Sequence, residues 1–301
     1  MNTAGLGSQW RHPKFEYLDA RTVEEACSLL SQYGNKAKLI AGGTDLLVSM
    51  RRAKIAPVYV INVKAIPNLD YIHHDGDGLR IGALATLSEI ENSPLIRDRF
   101  PMIGDSARQI GTPQVRNVGT LGGNLCNAAP SADMAPPLIG LGAKAKLKGP
   151  KGERAVALEH FFTGPGETRL QVGEMLIEIQ IPHQPPHTQG VYLKLPARTA
   201  IDLAVVGVAV VVTLDTKGAN ILDTKIVLGA VAPTPIRARQ AEDVIRGKAI
   251  DEGLTEEAAK IAAEEAKPIS DVRGSASYRK EMVEVLTKGA IRQAIASPQP
   301  I

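Results

Sequence analysis

Apolar residues in the first sixty positions alternate between short runs with strand periodicity and stretches with helical spacing. "RTVEEACSLLSQYG" opens with a capping box, Thr22 to Glu25, and then places apolar residues, Cys27 among them, on one helical face. "AKLIAGG" predicts a short strand and turn, "TDLLVSMRR" a helix capped by Thr44 or Asp45, and "VYVINV" a buried strand. This order predicts a β–α–β unit.

The next stretch predicts a hairpin followed by helices. "LDYIHHDGDGLRIGAL" has turn residues from Asp75 to Gly78 between two apolar runs. A second capping box in "TLSEIENS" predicts a helix, "DSARQIG" and "ADMAPPLIGLG" predict two more, and "AKAKLKG" alternates like a strand. The adjacent His73 and His74 would point to opposite faces of a strand, so we expect no shared metal.

The pattern changes near Glu174. Four strand-like runs follow one another: "EMLIEIQIP", "GVYLKLP", "LAVVGVAVVVTLD" and "TKIVLGAVAP". Three helical runs come next: "IRARQAEDVIRG", "TEEAAKIAAEEA" and "SASYRKEMVEVLTKGAIRQAIA". Strands followed by helices predict an α+β layer, with the glycine-rich "TGPGETRLQVG" as the linker before it. We therefore predict domains at 1–175 and 176–301.

Composition excludes several classes of function. The net charge of +3 is small and dispersed, and aromatic residues make up 4%, so nucleic-acid binding is not expected. "LAVVGVAVVVTL" is too short and too β-branched for a membrane span, and the first residues have no apolar signal core. Two cysteines without a CxxC pair predict no disulfide framework. These features predict a cytoplasmic protein without membrane insertion.

Common catalytic and nucleotide motifs are absent. "GLGAKA" has dinucleotide-loop spacing, but a predicted helix precedes it and a strand follows, which is the reverse of a Rossmann turn. The phosphate loop GxxxxGK[ST], HExxH and GxSxG do not occur. No Ser-His-Asp-like set is present, so we predict no catalytic acid or base in this chain.

Two glycine pairs are the strongest candidates for a ligand site. Gly42-Gly43 lies in "AGGTD" at a strand-to-helix junction, where free N–H groups could face an anion. Gly122-Gly123 lies in "GTLGGNL", a second run whose backbone could form an anion nest. One isolated Gly-Gly is more often a tight turn. Two such loops with nearby polar residues favour a pyrophosphate clasped from both sides. Those polar residues are Thr44, Asp45, Thr120, Asn124 and Asp133.

The chain resembles the FAD-binding subunits of molybdenum hydroxylases. The resemblance rests on "AGGTDLL", "QIGTPQVRNVGTLGGNLCNAAPSADMAP", "GVYLKLPARTAIDLAVVGVAV", "VLGAVAPTPIRARQAE" and "SDVRGSASYR". This family includes the medium subunit of aerobic carbon monoxide dehydrogenase and the flavin domain of xanthine dehydrogenase. The resemblance implies an α+β fold: a two-part FAD-binding domain of the vanillyl-alcohol-oxidase-like type, divided near 58–65, then a smaller domain of antiparallel sheet and helices.

The resemblance also implies which residues bind FAD. Tyr192 matches a residue on a loop over the isoalloxazine face, Asp133 matches an acid that accepts from flavin hydroxyls, and Lys194 would lie near the pyrimidine end. The complete implied set is Leu39, Ile40, Ala41, Gly42, Gly43, Thr44, Asp45, Leu46, Ile110, Thr120, Gly122, Gly123, Asn124, Asp133, Leu176, Tyr192 and Lys194.

The implied function is electron transfer with non-covalent FAD. A molybdopterin-binding large subunit would oxidise the substrate, and a small subunit with 2Fe-2S clusters would pass electrons to this chain. The acceptor would be NAD, a quinone or another compound. Gly-Gly in the first loop, where xanthine dehydrogenase-like members have Gly-Asn, groups the chain with separate-subunit bacterial enzymes. The cysteine-bearing insert of members that act on 4-hydroxybenzoyl-CoA is missing.

Two alternatives remain open at this stage. The first is a self-sufficient flavin oxidase of the same fold, for which Cys126 would be the one thiol near the loops. The second is a scaffold subunit that has lost its flavin, which the intact glycine loops and Asp133 argue against.

Overall fold

The structure, a computed structural model, describes residues 13–198, 203–249 and 251–296. Three regions follow one another along the chain, and each has its own sheet. The first two regions bring the glycine loops together, and the third packs its sheet against the second.

The first region is the predicted β–α–β unit. Its elements are β1 (Glu16–Asp19), α1 (Val23–Tyr33), β2 (Ala37–Ile40), α2 (Leu46–Arg51) and β3 (Tyr59–Asn62). The strands form a parallel sheet in the order β1-β3-β2. The Thr22 hydroxyl caps α1 by accepting from the Glu25 N–H at 3.1 Å, while the Glu25 carboxylate accepts from the Arg21 N–H.

The second region contains the predicted hairpin and a series of short helices. Its elements are β4 (Ile72–Asp75), β5 (Gly78–Gly82), α3 (Leu87–Asn92), α4 (Pro94–Arg99), α5 (Pro101–Arg108), α6 (Pro113–Arg116), α7 (Leu121–Cys126), α8 (Ala135–Gly140), β6 (Lys144–Gly149), β7 (Gly152–Ala157), β8 (Phe162–Gly164), β9 (Glu167–Thr168) and β10 (Met175–Pro182). Proline at the first turn starts several of these helices, where a missing N–H costs little. Thr86 and Glu89 form the complete capping box predicted for α3.

Strand β10 lies where the sequence pattern did not place it. It is the central strand of the second region's sheet, in the order β4-β5-β10-β6-β7, rather than the first strand of the last region. Ile179 lies opposite Ile81 on β5 and Ala145 on β6. The run alternates along the sequence, with Ile177, Ile179 and Ile181 at one set of positions and Glu178 and Gln180 between them. Such a strand fits either sheet, so periodicity cannot choose between them.

The predicted linker is also part of the second region. The stretch 163–173 contributes to the β8–β9 hairpin and leads into β10, so it does not separate two domains. The predicted division after residue 175 would detach β10 from both of its neighbours. We propose that the domain boundary lies between Pro182 and Thr188 instead.

The described part of the third region contains three long strands and three helices. Its elements are β11 (Thr188–Pro196), β12 (Ala204–Leu214), β13 (Asn220–Gly229), β14 (Ile236–Arg237), α9 (Arg239–Ile245), β15 (Lys248–Ala249), α10 (Glu252–Glu265) and α11 (Ala276–Ala296). The antiparallel order is β11-β12-β13-β14, and β15 pairs with β13. The predicted strands-then-helices pattern is confirmed from residue 188 onward.

Strand β12 is buried on both faces because each face belongs to a different core. Val208 and Val210 pack with the helices of the third region, whereas Ala209 and Val211 join the core of the second. A Cβ atom at Gly229 would lie 2.8 Å from Pro136 on α8, so the sheet and that helix approach closely. Within the described ranges, no helix is long and apolar enough to cross a membrane.

Candidate functional site

The first glycine loop, residues 41–45, presents unpaired backbone donors. It connects β2 to α2 at the carboxyl end of a parallel strand, where open sheets commonly bind ligands. Among the described residues, none accepts a hydrogen bond from the N–H groups of Gly42, Gly43, Thr44 or Asp45. Gly43 has φ +71°, a left-handed conformation that glycine adopts at little cost. Consecutive free N–H groups of this kind attract anions.

Asp45 is the acidic group of this loop. It occupies the N-cap position of α2 without donating or accepting a side-chain cap hydrogen bond. Desolvation raises the pKa of its carboxyl group, and a hydrogen bond from Thr44 opposes that rise. The sequence predicted either Thr44 or Asp45 as the N-cap of α2. In the structure the N-cap residue is Asp45.

The second glycine loop differs, because its donors are already used. The N–H groups of residues 121–124 all donate inside the chain. Their acceptors, in order, are the Ala85 carbonyl at 2.9 Å, the Ala83 carbonyl at 2.8 Å, the Thr120 hydroxyl at 3.1 Å and the Thr120 carbonyl at 3.0 Å. The prediction that this loop is an anion nest is therefore wrong for these four N–H groups. Thr120, the N-cap of α7, satisfies two of these N–H groups, and the Ala83 and Ala85 carbonyls, outside the helix, satisfy the other two.

The structure brings the two loops into direct contact. A Cβ atom at Gly42 would lie 2.0 Å from the Val118 carbonyl oxygen, so the backbones touch there. The backbone at Gly122 also lies close to another segment, since a Cβ atom there would be 2.7 Å from the Ala83 carbonyl oxygen. Both glycines thus permit close packing, one between the loops and one beneath the second loop.

One buried acceptor remains open on the second loop. The Asn124 Oδ1 atom is buried and has no hydrogen-bond partner among the described residues. Buried polar atoms in native proteins are nearly always paired with protein or water, so this acceptor is available to a donor group of a ligand or of a water molecule.

A second cluster forms where the third region meets the second. The Asp133 carboxylate accepts from the Tyr192 hydroxyl at 2.7 Å and from the Lys194 ammonium at 2.9 Å. Lys194 also donates to the Gln109 carbonyl at 2.8 Å. All three side chains are buried, and the Lys194 side chain is 3% exposed. The predicted residues Asp133, Tyr192 and Lys194 therefore lie together.

Burial is the largest influence on the titration of this cluster. Burial raises the pKa of the Asp133 carboxyl group, while Lys194 and Tyr192 act in the opposite direction. Burial also raises the pKa of the Tyr192 phenol, and the neighbouring Asp133 charge raises it further. The phenol is consequently a hydrogen-bond donor rather than a phenolate at neutral pH.

One expectation for this cluster needs correction. Tyr192 does not lie on a loop: it is in the middle of β11, opposite Ala209. The Lys194 ammonium is held between the Asp133 carboxylate and the Gln109 carbonyl. The resemblance gave positions along the chain but did not show that these side chains bond to each other.

Ile110 and Leu176 belong to the core of the second region. Ile110 follows Gln109, whose carbonyl accepts from Lys194, and its own carbonyl accepts from Arg116 at 3.2 Å. Leu176 is buried on β10 opposite Leu147. The described contacts join the glycine loops to each other and the members of the Asp133 cluster to one another.

Sequence reasoning missed three groups that support the site. The Val118 and Gln109 carbonyls belong to the backbone, and the Ser106 hydroxyl, which donates to the Asp133 carbonyl at 3.2 Å, lies in no motif that the sequence presents. Proximity to "GTLGGNL" was a weak signal for Val118. Only the fold reveals the other two.

The remaining chemistry of the site is limited. Burial raises the pKa of the Cys126 thiol to about 12, so the sulfur is not a thiolate at neutral pH. Within the part of the chain that the structure describes, no group of three or more His, Cys, Asp or Glu could hold a metal ion.

These features define a flavoprotein whose FAD-binding part is built from two small sheets, with a sheet-and-helix domain after it. Residues 13–184 match the family described as the FAD binding domain in molybdopterin dehydrogenase. Residues 191–294 match the CO dehydrogenase flavoprotein C-terminal domain. The chain belongs to the FAD-binding medium subunits of the molybdenum hydroxylase family.

Curated relatives extend over almost the whole chain. The carbon monoxide dehydrogenase medium chain of Hydrogenophaga pseudoflava is 35% identical over 284 residues, covering 94% of this chain and 98% of that protein. The putative xanthine dehydrogenase FAD-binding subunit XdhB of Escherichia coli (strain K12) is 32% identical over 283 residues, covering 93% and 96%. Subunits of different oxidoreductases are therefore about equally similar.

Solved structures agree with the fold. Carbon monoxide dehydrogenase from Hydrogenophaga pseudoflava that lacks the Mo-pyranopterin moiety of its cofactor superposes with a TM-score of 0.91 at 36% identity, covering 95% of this chain and 99% of that one. Quinoline 2-oxidoreductase from Pseudomonas putida 86 gives 0.88 at 28% identity, covering 95% and 98%.

The residues present fit FAD. A pyrophosphate needs clustered donors, which the free N–H groups of the first loop supply. A Cβ atom at Gly42 would drive the loops apart, so glycine there preserves the junction between them. The unpaired Asn124 Oδ1 offers an acceptor for a ligand hydroxyl or N–H.

Proposed function

We propose that this chain is the electron-transferring flavoprotein subunit of a cytoplasmic molybdenum-dependent hydroxylase. It takes electrons from the 2Fe-2S clusters of a small partner subunit and delivers them to an external acceptor such as NAD or a quinone. A molybdopterin-binding large subunit oxidises the substrate. The names of the relatives, which include medium chains of carbon monoxide and glyceraldehyde dehydrogenases, support this division of labour.

One observation favours electron transfer over substrate chemistry in this chain. The buried titratable groups near the site, Asp133, Tyr192 and Lys194, are bonded to one another. Each group would have to leave its buried partner in order to act as a free acid or base. Breaking a buried ion pair costs about 3–5 kcal/mol. A subunit that only carries electrons has no need of such a group.

FAD, when bound, supplies the capacity to accept and release one or two electrons. The first loop would hold the pyrophosphate through its N–H groups, and Thr120 and Gly122-Gly123 would fix the wall against which the loop packs. Asn124 would accept from a ligand donor. The Asp133 cluster would hold the third region's sheet against the second region, and so would fix the position of that sheet relative to the site.

The self-sufficient oxidase is the rival within the same fold. A covalent flavin tether through cysteine requires a reactive sulfur, and the raised pKa of Cys126 opposes that role. Mass spectrometry of the denatured protein should therefore find the unmodified polypeptide mass, with FAD released.

The test uses the isolated chain and the assembled complex. We expect the chain with FAD to be reduced by dithionite and to be inert toward organic substrates. Co-expressed with its large and small partners, it should co-purify with a molybdenum-containing and an iron–sulfur polypeptide. Rapid reduction of the isolated flavoprotein by a small organic molecule, without any partner, would reverse the assignment in favour of the oxidase.

A further inference from the structure

Three consecutive backbone carbonyls are held by two largely buried cations. They belong to Gln109, Ile110 and Gly111, in the turn between α5 and α6. The Lys194 ammonium donates to the first at 2.8 Å, and the Arg116 guanidinium donates to the other two, both at 3.2 Å. We propose that Arg116 is a positioning residue for the FAD site. This inference rests on the proposed function, in which FAD binds at the first glycine loop.

A carboxylate on a neighbouring helix orients the Arg116 guanidinium. Its Nε atom donates to one oxygen of Glu91 on α3 at 2.7 Å, and its Nη2 atom donates to the other at 3.4 Å. The Arg116 side chain is 11% exposed and that of Glu91 16%, so water competes little for this pair. The remaining nitrogen, Nη1, reaches the two carbonyls. The planar fork of a guanidinium suits this arrangement, and the compact ammonium of a lysine does not reproduce it.

The turn depends on Arg116 for its shape. Among the described residues, Arg116 is the only group that donates to the Ile110 and Gly111 carbonyls. The end of α5 supplies the other backbone hydrogen bonds, since the Ile110 N–H donates to the Ala107 carbonyl at 3.1 Å. Those bonds fix where the turn begins but not where it leads. Without the guanidinium, two carbonyls would lose their donor and the turn would rearrange to satisfy them.

The segment that begins with this turn contacts both parts of the site. At its start, the Gln109 carbonyl accepts from Lys194, a member of the Asp133 cluster. At its end, α6 leads into Val118, whose carbonyl oxygen would be 2.0 Å from a Cβ atom at Gly42 in the first glycine loop. One guanidinium thus lies between the donor loop and the buried cluster, and a binding site keeps its geometry only if such supporting groups are fixed.

Helix α6 connects the two ends of the segment. The Arg116 N–H donates to the Thr112 carbonyl at 3.0 Å, and the Gly119 N–H donates to the Val115 carbonyl at 2.7 Å. The Thr112 hydroxyl caps the helix by accepting from the Val115 N–H at 3.4 Å. A displacement of the turn would therefore move residue 118 as well, and with it the surface against which the first glycine loop packs.

Arg154 provides a control with similar bonding. Its guanidinium donates to both Glu174 oxygens, at 2.7 and 2.6 Å, and to the Arg169 carbonyl at 2.8 Å. It lies on β7, an outer strand of the second region's sheet, and neither partner belongs to a glycine loop or to the Asp133 cluster. Loss of this arginine should affect the fold without affecting the site.

The experiment measures the Kd for FAD and the free energy of unfolding on full-length variants. Arg116→Met removes every side-chain hydrogen bond of the guanidinium, and Arg116→Lys keeps the charge without the fork. Glu91 retains a cation in both, because the Arg108 Nε atom lies 3.7 Å from its carboxylate. We expect Arg116→Met to raise the Kd about tenfold, the scale of one hydrogen bond to a charged group, and Arg116→Lys to give an intermediate value. Arg154→Met should change the Kd by less than about twofold.

The visible absorption spectrum of bound flavin adds a readout that a merely structural arginine would not move. At saturating FAD, we expect the bands of Arg116→Met to differ from those of the wild-type protein, because the surroundings of the cofactor have shifted. The bands of Arg154→Met should match the wild-type bands.

The outcomes separate this inference from the proposed function. A wild-type Kd and spectrum in Arg116→Met would overturn the positioning role and leave the proposed function standing. Equal losses of affinity in Arg116→Met and Arg154→Met would also overturn it, because affinity would then follow stability. If Arg116→Met does not fold, Arg116→Lys decides: a raised Kd supports the role, and a wild-type Kd and spectrum overturn it. Failure of the wild-type chain to bind FAD would overturn both proposals.

Discussion

The two glycine loops look alike in sequence and differ in structure. The loop at Gly42-Gly43 has four N–H groups for which the described residues offer no acceptor, whereas the N–H groups of residues 121–124 are all paired within the chain. We propose that the first loop is a set of donors for a ligand; the second loop is the firm surface against which the first one packs. A Gly-Gly pair therefore marks close backbone approach, and only its hydrogen bonds reveal whether a ligand or the protein itself approaches.

The largest expected effect is at the junction of the loops. Gly42→Ala would place a methyl group 2.0 Å from the Val118 carbonyl oxygen, which is backbone and cannot rotate away. We expect a loss of about 3 kcal/mol in the free energy of unfolding, at the upper end for overpacking, together with loss of FAD. Urea unfolding and fluorescence titration with FAD measure both. Wild-type values for both would show that the loops can separate freely.

Gly122→Ala tests the packing role of the second loop alone. Its Cβ atom would lie 2.7 Å from the Ala83 carbonyl oxygen, which also accepts from the Gly122 N–H. We expect the free energy of unfolding to fall by about 2 kcal/mol and the free energy of FAD binding to change by less. A larger change in the free energy of FAD binding than in the free energy of unfolding would show that the second loop contacts FAD directly.

Gly43→Ala tests the donor role of the first loop alone. At φ +71° an alanine pays about 1–2 kcal/mol of backbone strain, and the nearest atoms to its Cβ belong to the movable side chains of Ile40 and Leu47. We expect modest destabilisation but a disproportionate loss of FAD affinity, because relaxation of the strain turns the N–H groups away. Equilibrium dialysis with FAD is the measurement. Destabilisation with unchanged affinity would make this loop an ordinary turn.

The smallest effect is expected at the helix cap of the second loop. Thr120→Val removes the hydroxyl that accepts from the Gly123 N–H at 3.1 Å, and Thr22→Val removes an equivalent cap on α1, also at 3.1 Å. Both variants should lose about 1 kcal/mol of stability by thermal unfolding. FAD affinity should change in Thr120→Val and not in Thr22→Val, since only Thr120 borders the site. A parallel change in both variants would mean that affinity merely follows stability.

The sequence predicted most elements of the fold because their signals are local. Capping residues such as Thr22 and Thr86, the Asp75–Gly78 turn and the alternating strands act over a few residues, and the structure confirms each one. Strand β10 could not be assigned, because the choice between two sheets depends on partners far away in the chain.

The sequence predicted which residues belong to the candidate site but not which of them contact one another. The resemblance indicated Asp133, Tyr192 and Lys194, yet their mutual hydrogen bonds depend on how the third region docks on the second. The difference between the loops was equally hidden, since the acceptors Ala83 and Ala85 are apolar residues that contribute only carbonyls. Assignment of FAD-binding roles to individual residues stays a prediction.

The central position of β10 also has a consequence for biosynthesis. Strands β5 and β6 leave the ribosome well before β10, and neither can complete its place in the sheet until that strand arrives between them. Pairing across so long a stretch of chain is slow, and unpaired strand edges are prone to association with other chains. A nascent chain that stalls within the segment before β10 would expose two unpaired strand edges at once. We expect a pause in translation within this segment to lower the fraction of the protein that reaches the native state.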